Sequence, residues 1–236
     1  MMVTFKNRLE NYLAKIVRSL RGRGIWGSIM FLPMRLWHNR KFRNFDFSGK
    51  IDPFDLDGPE EVKMHASKYE ATSHLFFKKL FASLSWPYEE STFVDFGCGK
   101  GAALLYAYKL GFRKLIGVEF SSQLAETAII NMQKISDKQS DAIDFEIVNT
   151  DASLYEIPPE ADCFYFFNPF DAIILDKVMQ NIYKSLAIRN RRIIIIYLNA
   201  LHREVIEKYP VQKIKFLPTK ELDIYYHGGA YVYQNC

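Results

Sequence analysis

The sequence predicts an α/β fold: a mostly parallel sheet, a C-terminal antiparallel hairpin and a basic helical N-terminal extension. Three observations carry this reading. From residue 92 onward, short runs rich in Val, Ile and Phe alternate with segments of helical period, as in a parallel sheet covered by helices. Residues 192–198 contain Ile193-Ile194-Ile195-Ile196, a β-branched run expected of a central strand covered on both faces. Residues 222–226 and 230–233 flank His227-Gly228-Gly229, which reads as a hairpin turn.

The elements follow in order. Residues 1–45 carry ten Lys or Arg against Glu10 alone, a charge of +9, while the rest carries 21 basic and 26 acidic residues, or −5. Phe5, Leu9, Tyr12, Leu13, Ile16, Val17 and Leu20 recur at helical spacing within this arm. Arg21-Gly22-Arg23-Gly24 breaks the helix, and the apolar run 25–37 is interrupted by Pro33 and Arg35. That run is too short and broken for the roughly 20 apolar residues of a bilayer span, and it makes a poor secretory signal. The arm packs on the body as a helical cap, or it meets an anionic membrane surface, nucleic acid or an acidic protein. Residues 46–61 look like a linker, with Asp52-Pro53 and Asp57-Gly58-Pro59 as breakers. Residues 66–84 read as a helix. Strands are expected at 92–96, 114–119, 143–148, 162–167, 192–198 and 211–216, and helices at 101–110, 121–135, 172–186 and 200–208. The division is 1–61 for extension and linker, and 62–236 for the domain.

Composition sets limits. A length of 236 residues suits one domain with an appendage, at about 100–200 residues per domain. Hydrophobic residues at 49% and charged residues at 25% exclude a wholly disordered chain. Cys98, Cys163 and Cys236 are far apart and form no CxxC pair. A disulfide scaffold is thereby excluded, no metal site is expected, and a reducing cytoplasmic setting fits best.

Four polar residues end four apolar runs, where an open α/β sheet gathers its ligands. Asp95-Phe96-Gly97-Cys98-Gly99-Lys100-Gly101 follows the first run. Its G-x-G-x-G spacing is neither the dinucleotide fingerprint nor the Walker pattern. Glycines let a ligand approach the backbone closely, and a carboxylate at Asp95 suits a cation better than a phosphate. The helix start beside Lys100 offers an alternative site for an anion. Glu119 ends the second run; it is either a solvated strand-end acid or an acceptor for two ribose hydroxyls. Asp151, followed by Ala152, is either a turn cap or an acceptor for an adenine amino group. Asn168-Pro169-Phe170 follows the fourth run, as a turn before a helix or as part of the same site.

The stretch 94–107, VDFGCGKGAALLYA, resembles the first motif of class I S-adenosylmethionine-dependent methyltransferases. The likeness covers roughly residues 62–235 and leaves the basic arm outside. Lys68-Tyr69-Glu70-Ala71-Thr72, FVDFGCGKG, GVEFS and FFNPF together are similar to a group of small bacterial methyltransferases of unsettled substrate. More distantly they resemble the non-SET-domain protein lysine methyltransferases. The resemblance implies a Rossmann-like seven-stranded methyltransferase sheet, S-adenosyl-L-methionine as cofactor and S-adenosyl-L-homocysteine as product. It implies cofactor contacts at Asp95, Gly97, Cys98, Gly99, Gly101, Glu119, Asp151, Ala152 and Asn168. On the acceptor side it implies Asn168, whose amide oxygen would take a hydrogen bond from a nitrogen nucleophile, with Phe170 and Tyr69 as walls. The single Pro after Asn168 departs from the Asn-Pro-Pro-aromatic motif of amino-group methyltransferases. The implied activity is N-methylation of a protein side chain, lysine first. The alternatives are a small-molecule or lipid-precursor methyltransferase, and a catalytically silent cofactor-binding adaptor working through its basic arm. The expected location is cytoplasmic, or peripheral to a membrane. No general base stands out; His65, His74 and His202 are candidates by residue type only.

Overall fold

The computed structural model describes residues 42–136, 143–218 and 228–236. The helical arm expected over residues 1–41, and the strand and turn expected over 222–227, lie outside the described residues. In chain order the elements are β1 (Lys50–Ile51), α1 (Glu60–Lys63), β2 (Tyr69–Glu70), α2 (His74–Ala82), β3 (Thr92–Phe96), α3 (Ala102–Leu110), β4 (Lys114–Glu119), α4 (Ser122–Ser136), β5 (Asp144–Asn149), β6 (Ala161–Phe167), α5 (Ala172–Ile188), β7 (Ile194–Leu198), α6 (Arg203–Ile206), β8 (Val211–Leu217) and β9 (Ala230–Asn235).

Seven strands form one sheet in the order β5-β4-β3-β6-β7-β9-β8. β5, β4, β3, β6 and β7 run parallel, and β9 is antiparallel to both β7 and β8. The antiparallel C-terminal pair is therefore present, with β8 as the partner of β9.

Strand alternation separates two cores. Phe93 packs on one face with Phe77, Phe81 and Leu104, while Val94 and Phe96 pack on the other with Leu175, Val178 and Ile182. The isoleucine run alternates in the same way: Ile194 and Ile196 join the first core, Ile193 and Ile195 the second. Both faces are covered, which is why the run carries no polar residue. Each such buried side chain stabilises the sheet by about 1.5–3 kcal/mol.

Two expectations need correction. Residues 66–73 are not helical. The Ser67 N–H donates to the Pro169 carbonyl at 2.9 Å, Ala66 bridges Phe170, and β2 pairs with β1. Ser67, Thr72 and Ser73 are weak helix formers, and the backbone there finds partners in other segments; the helix begins only at His74. Residues 46–61 are not an open linker. Pro53 and Leu56 are buried, and Asp46 and Asp57 bond to Lys100 and Ser121 of the body. Residues 46–72 form a strap across the carboxyl ends of the sheet.

Candidate functional site

β3 lies between β4 and β6, so the chain turns away in opposite directions on its two sides. Such a switch point opens a crevice at the carboxyl ends of the strands. The glycine loop fills its floor. Gly97 and Gly99 have φ of +70° and +53°, a region that L side chains rarely adopt. A Cβ on Gly97 would lie 2.5 Å from the Pro169 Cβ, and one on Gly99 would lie 2.3 Å from the Tyr69 Cε2. Glycine is thus required both by conformation and by close approach.

The neighbouring strand pins the loop. The N–H groups of Gly97 and Cys98 donate to the Val118 carbonyl at 2.8 and 3.1 Å. Glu119 Oε2 accepts from the Gly99 N–H at 2.9 Å, and Oε1 accepts from the Ser121 N–H at 3.1 Å. Burial pushes the Glu119 carboxyl up to about 7, even though backbone donors at Ser121, Gly99 and Phe120 favour its ionised form. Asp95 is 3% exposed. Burial, and then the nearby Glu119, push its carboxyl well above the ordinary range. Burial also raises the Cys98 thiol, and Cys98 packs in the core. These two acids at the cavity floor are short of positive partners.

The cavity is a partly open cleft of about 870 Å³, solvent-open space included. Asp95, Gly97, Cys98 and Glu119 line it, as do Asp151 and Ala152 after β5, and Phe170 after β6. Tyr69 covers it from the strap; its hydroxyl donates to the Phe47 carbonyl at 3.2 Å. Asp151 accepts from the Ser153 N–H at 2.8 Å and caps a short 3-10 turn. Gly101 starts α3 in a left-handed conformation against Ala128.

Asn168 stands apart from this set. It is not among the residues lining the cavity. Its Oδ1 accepts from the Tyr197 hydroxyl at 2.9 Å, and its Nδ2 donates to Ser67 Oγ at 3.4 Å. That bond takes one lone pair of the amide oxygen expected to meet the nucleophile and leaves the other. Its φ of 41° is one that Asn tolerates better than most residues. Lys100 does not await an anion either: its ammonium bonds Asp46 at 2.8 Å and the Ser48 carbonyl at 3.0 Å.

Two features went unseen in the sequence. Asp57 crosses to the start of α4, accepting from Ser121 Oγ at 2.5 Å, from the Ser122 N–H at 3.0 Å and from the Ser122 hydroxyl. Although burial opposes it, these bonds hold its carboxyl down at about 2. His65 Nδ1 lies 2.6 Å from Asp171 Oδ2, and His65 lines the cavity. In the sequence Asp57 shows only as part of the Asp57-Gly58-Pro59 breaker.

A seven-stranded sheet of this order, with a glycine loop between β3 and α3 and an acid ending β4, shares its fold with a solved S-adenosylmethionine-dependent methyltransferase. A SAM-dependent methyltransferase from Aquifex aeolicus superposes with a TM-score of 0.50 at 15% identity, covering 68% of this chain and 89% of that one. An MtNAS variant in complex with S-adenosylmethionine superposes with a TM-score of 0.50 at 15% identity, covering 69% of this chain and 62% of that one. In sequence, the chain is 38% identical over 52 residues to a ribosomal protein L11 methyltransferase from Colwellia psychrerythraea. That match covers 21% of this chain and only 18% of the relative's length. No family model matches. Among the described residues, no group of three or more His, Cys, Asp or Glu could hold a metal ion, and no helix is long and apolar enough to cross a membrane.

Proposed function

We propose that this chain is an S-adenosylmethionine-dependent methyltransferase acting on a nitrogen of a protein side chain, lysine first. One observation carries the donor half: two buried carboxyl groups, Asp95 and Glu119, at the floor of a cavity built on a glycine loop. When bound, S-adenosylmethionine supplies a methyl group already activated by its sulfonium. Asp95 favours a cation there by its field. Glu119 spends one lone pair of each oxygen on the backbone and retains acceptor capacity for ribose hydroxyls. Gly97 and Gly99 keep the loop free of side chains, and Asp151 and Ala152 meet the base. Leu56, Leu124 and Phe170 exclude water beside them.

The acceptor half rests on charge. Asp151 lines the cavity, as do Asp95 and Glu119, which a cationic donor favours in ionised form; Glu70 pairs with Lys50 at 2.6 Å, and the one ammonium of the lining, Lys68, pairs with Asp52 at 2.9 Å. Such a lining favours a cationic side chain over an anion. A second reading, a small-molecule acceptor, is favoured by the strap, since residues 65–72 cover the cavity. The +9 charge of residues 1–45 suits an acidic partner, whether protein, nucleic acid or a membrane surface, in the cytoplasm.

The test is transfer of a tritiated methyl group into a cell extract divided into protein, nucleic-acid, lipid and small-molecule fractions, with Asp95→Asn as control. Label in protein, lost in the control, is expected. Label confined to the small-molecule fraction would move the acceptor to the second reading. Donor binding in calorimetry without label in any fraction would favour a silent adaptor, and absence of donor binding would refute the proposal.

A further inference from the structure

We infer that His65 is the general base of the reaction, held in its working tautomer by Asp171, and that the acceptor arrives with a proton on its nucleophilic atom. This rests on the methyltransferase reading above.

The pair is built by two segments 106 residues apart. The Asp171 N–H donates to the His65 carbonyl at 3.0 Å, the Ser67 N–H donates to the Pro169 carbonyl at 2.9 Å, and Ala66 bridges Phe170. This short ladder fixes the strap against the start of α5 through backbone alone. The two side chains are then set by separate bonds. Asp171 Oδ1 accepts from the N–H groups of Ile173 and Ile174 at 3.0 and 3.2 Å, capping α5, while Oδ2 faces His65 Nδ1 at 2.6 Å. Burial pushes the Asp171 carboxyl up, but the bonds from His65 and the helix N–H groups outweigh this and hold it below its ordinary range. An ionised carboxylate can only accept, so Nδ1 carries the hydrogen, and in the neutral ring Nε2 carries the lone pair. The ring is one-third exposed and lines the same cavity as Asp95 and Glu119. Among the described residues no other histidine lines it. The charged groups sharing that cavity are Lys68, Glu70, Asp95, Glu119 and Asp151.

The need for a base follows from the acceptor. An amine reaches an acidic cavity as ammonium, which has no lone pair to attack with. The N–H proton passes to His65 Nε2, giving an imidazolium stabilised by Asp171. The freed nitrogen pair forms the bond to the methyl carbon, and the carbon–sulfur pair stays on sulfur as the sulfonium donor becomes a thioether. The imidazolium then returns its proton to solvent through its exposed edge. Asp171 acts through His65 and is a positioning residue.

Two variants test this. His65→Gln leaves the backbone ladder intact. Asp171→Asn keeps an oxygen for the helix cap but turns an amide N–H₂ toward Nδ1, which forces the hydrogen onto Nε2 and removes the lone pair there. Label transfer into extract protein at pH 7 is expected to fall about 100-fold or more in both, with donor affinity in calorimetry within about twofold of the parent. The residual rate of His65→Gln is expected to keep rising with pH where the parent levels off. Nitrogen-15 NMR of the donor-free protein gives a readout independent of turnover: His65 should show hydrogen on Nδ1 in the parent and on Nε2 in Asp171→Asn. Parental rate and pH profile in His65→Gln, or hydrogen on Nε2 in the parent, would overturn the assignment. An unlabelled extract with the parent protein would instead overturn the methyltransferase reading, and the base with it.

Discussion

Donor binding is expected to be coupled to release of a proton from Glu119. Without ligand, burial sets this carboxyl at about 7, against 4.5 for an ordinary glutamate. Below pH 4.5 the group is protonated in both folded and unfolded chains. Between 4.5 and 7 the folded protein keeps a proton that the unfolded chain has lost, so its stabilising contribution is present at low pH and lost as pH rises through 7. The gap corresponds to about 3 kcal/mol. A cationic donor whose ribose hydroxyls donate to the carboxylate selects the ionised form. Its affinity should therefore rise by up to about tenfold per pH unit from 5 to 7 and level off above. Asp95, also pushed up by burial and by Glu119, works in the same direction. The assay is calorimetric titration with S-adenosylmethionine at pH 6 in two buffers of different ionisation enthalpy, where Glu119 should release about 0.9 proton per donor and any proton from Asp95 adds to this. Glu119→Gln should bind more weakly and flatten the pH dependence. It retains one amide oxygen where two backbone N–H groups, of Gly99 and Ser121, now find an oxygen each. Affinity unchanged from pH 5 to 8, with a buffer-independent enthalpy, would refute the role given to Glu119.

Gly99→Ala should lower stability in urea by about 1–3 kcal/mol and weaken donor binding, because a left-handed alanine is strained and its Cβ would meet the Tyr69 ring at 2.3 Å; adding Tyr69→Ala should recover part of the stability. Asp57→Ala should destabilise by about 1 kcal/mol through loss of the cap on α4. The folded carboxyl sits at about 2 against an ordinary 3.8, so the contribution is present above 3.8, and the difference in Tm from the parent should close as pH falls through about 2.

What was legible in the sequence was local. β3, the loop after it and α3 are contiguous over residues 92–110, so apolar run, glycines and helical period announce them together. Glu119 and Asp151 end their own strands or begin the next turn, and both line the cavity. Residues 66–84 misled because Leu75, Phe76 and Leu80 give a true helical period, and nothing local marks that Ser67 will pair with Pro169, 102 positions away. The partner of Asn168 was hidden for the same reason. The place of Asn168 after β6 was readable, but the Tyr197 hydroxyl that engages it comes from β7.

The two halves of the site are thus built by different means. The donor half comes from single strand-to-helix crossings, each of which carries its own polar residue at the strand end. A sheet of this fold recurs in a solved methyltransferase at 15% identity. The acceptor half comes from the strap, which reaches each of the three loops in turn: Asp46 holds Lys100 of the glycine loop, Asp57 holds Ser121 and Ser122 after β4, and His65 holds Asp171 after β6. Every one of these contacts joins residues more than 50 positions apart. On the proposed function, acceptor choice is expected to depend on strap residues such as His65 and Tyr69. Substitutions in the strap should change which acceptor is used before they change the donor, whereas substitutions in the glycine loop should abolish both together.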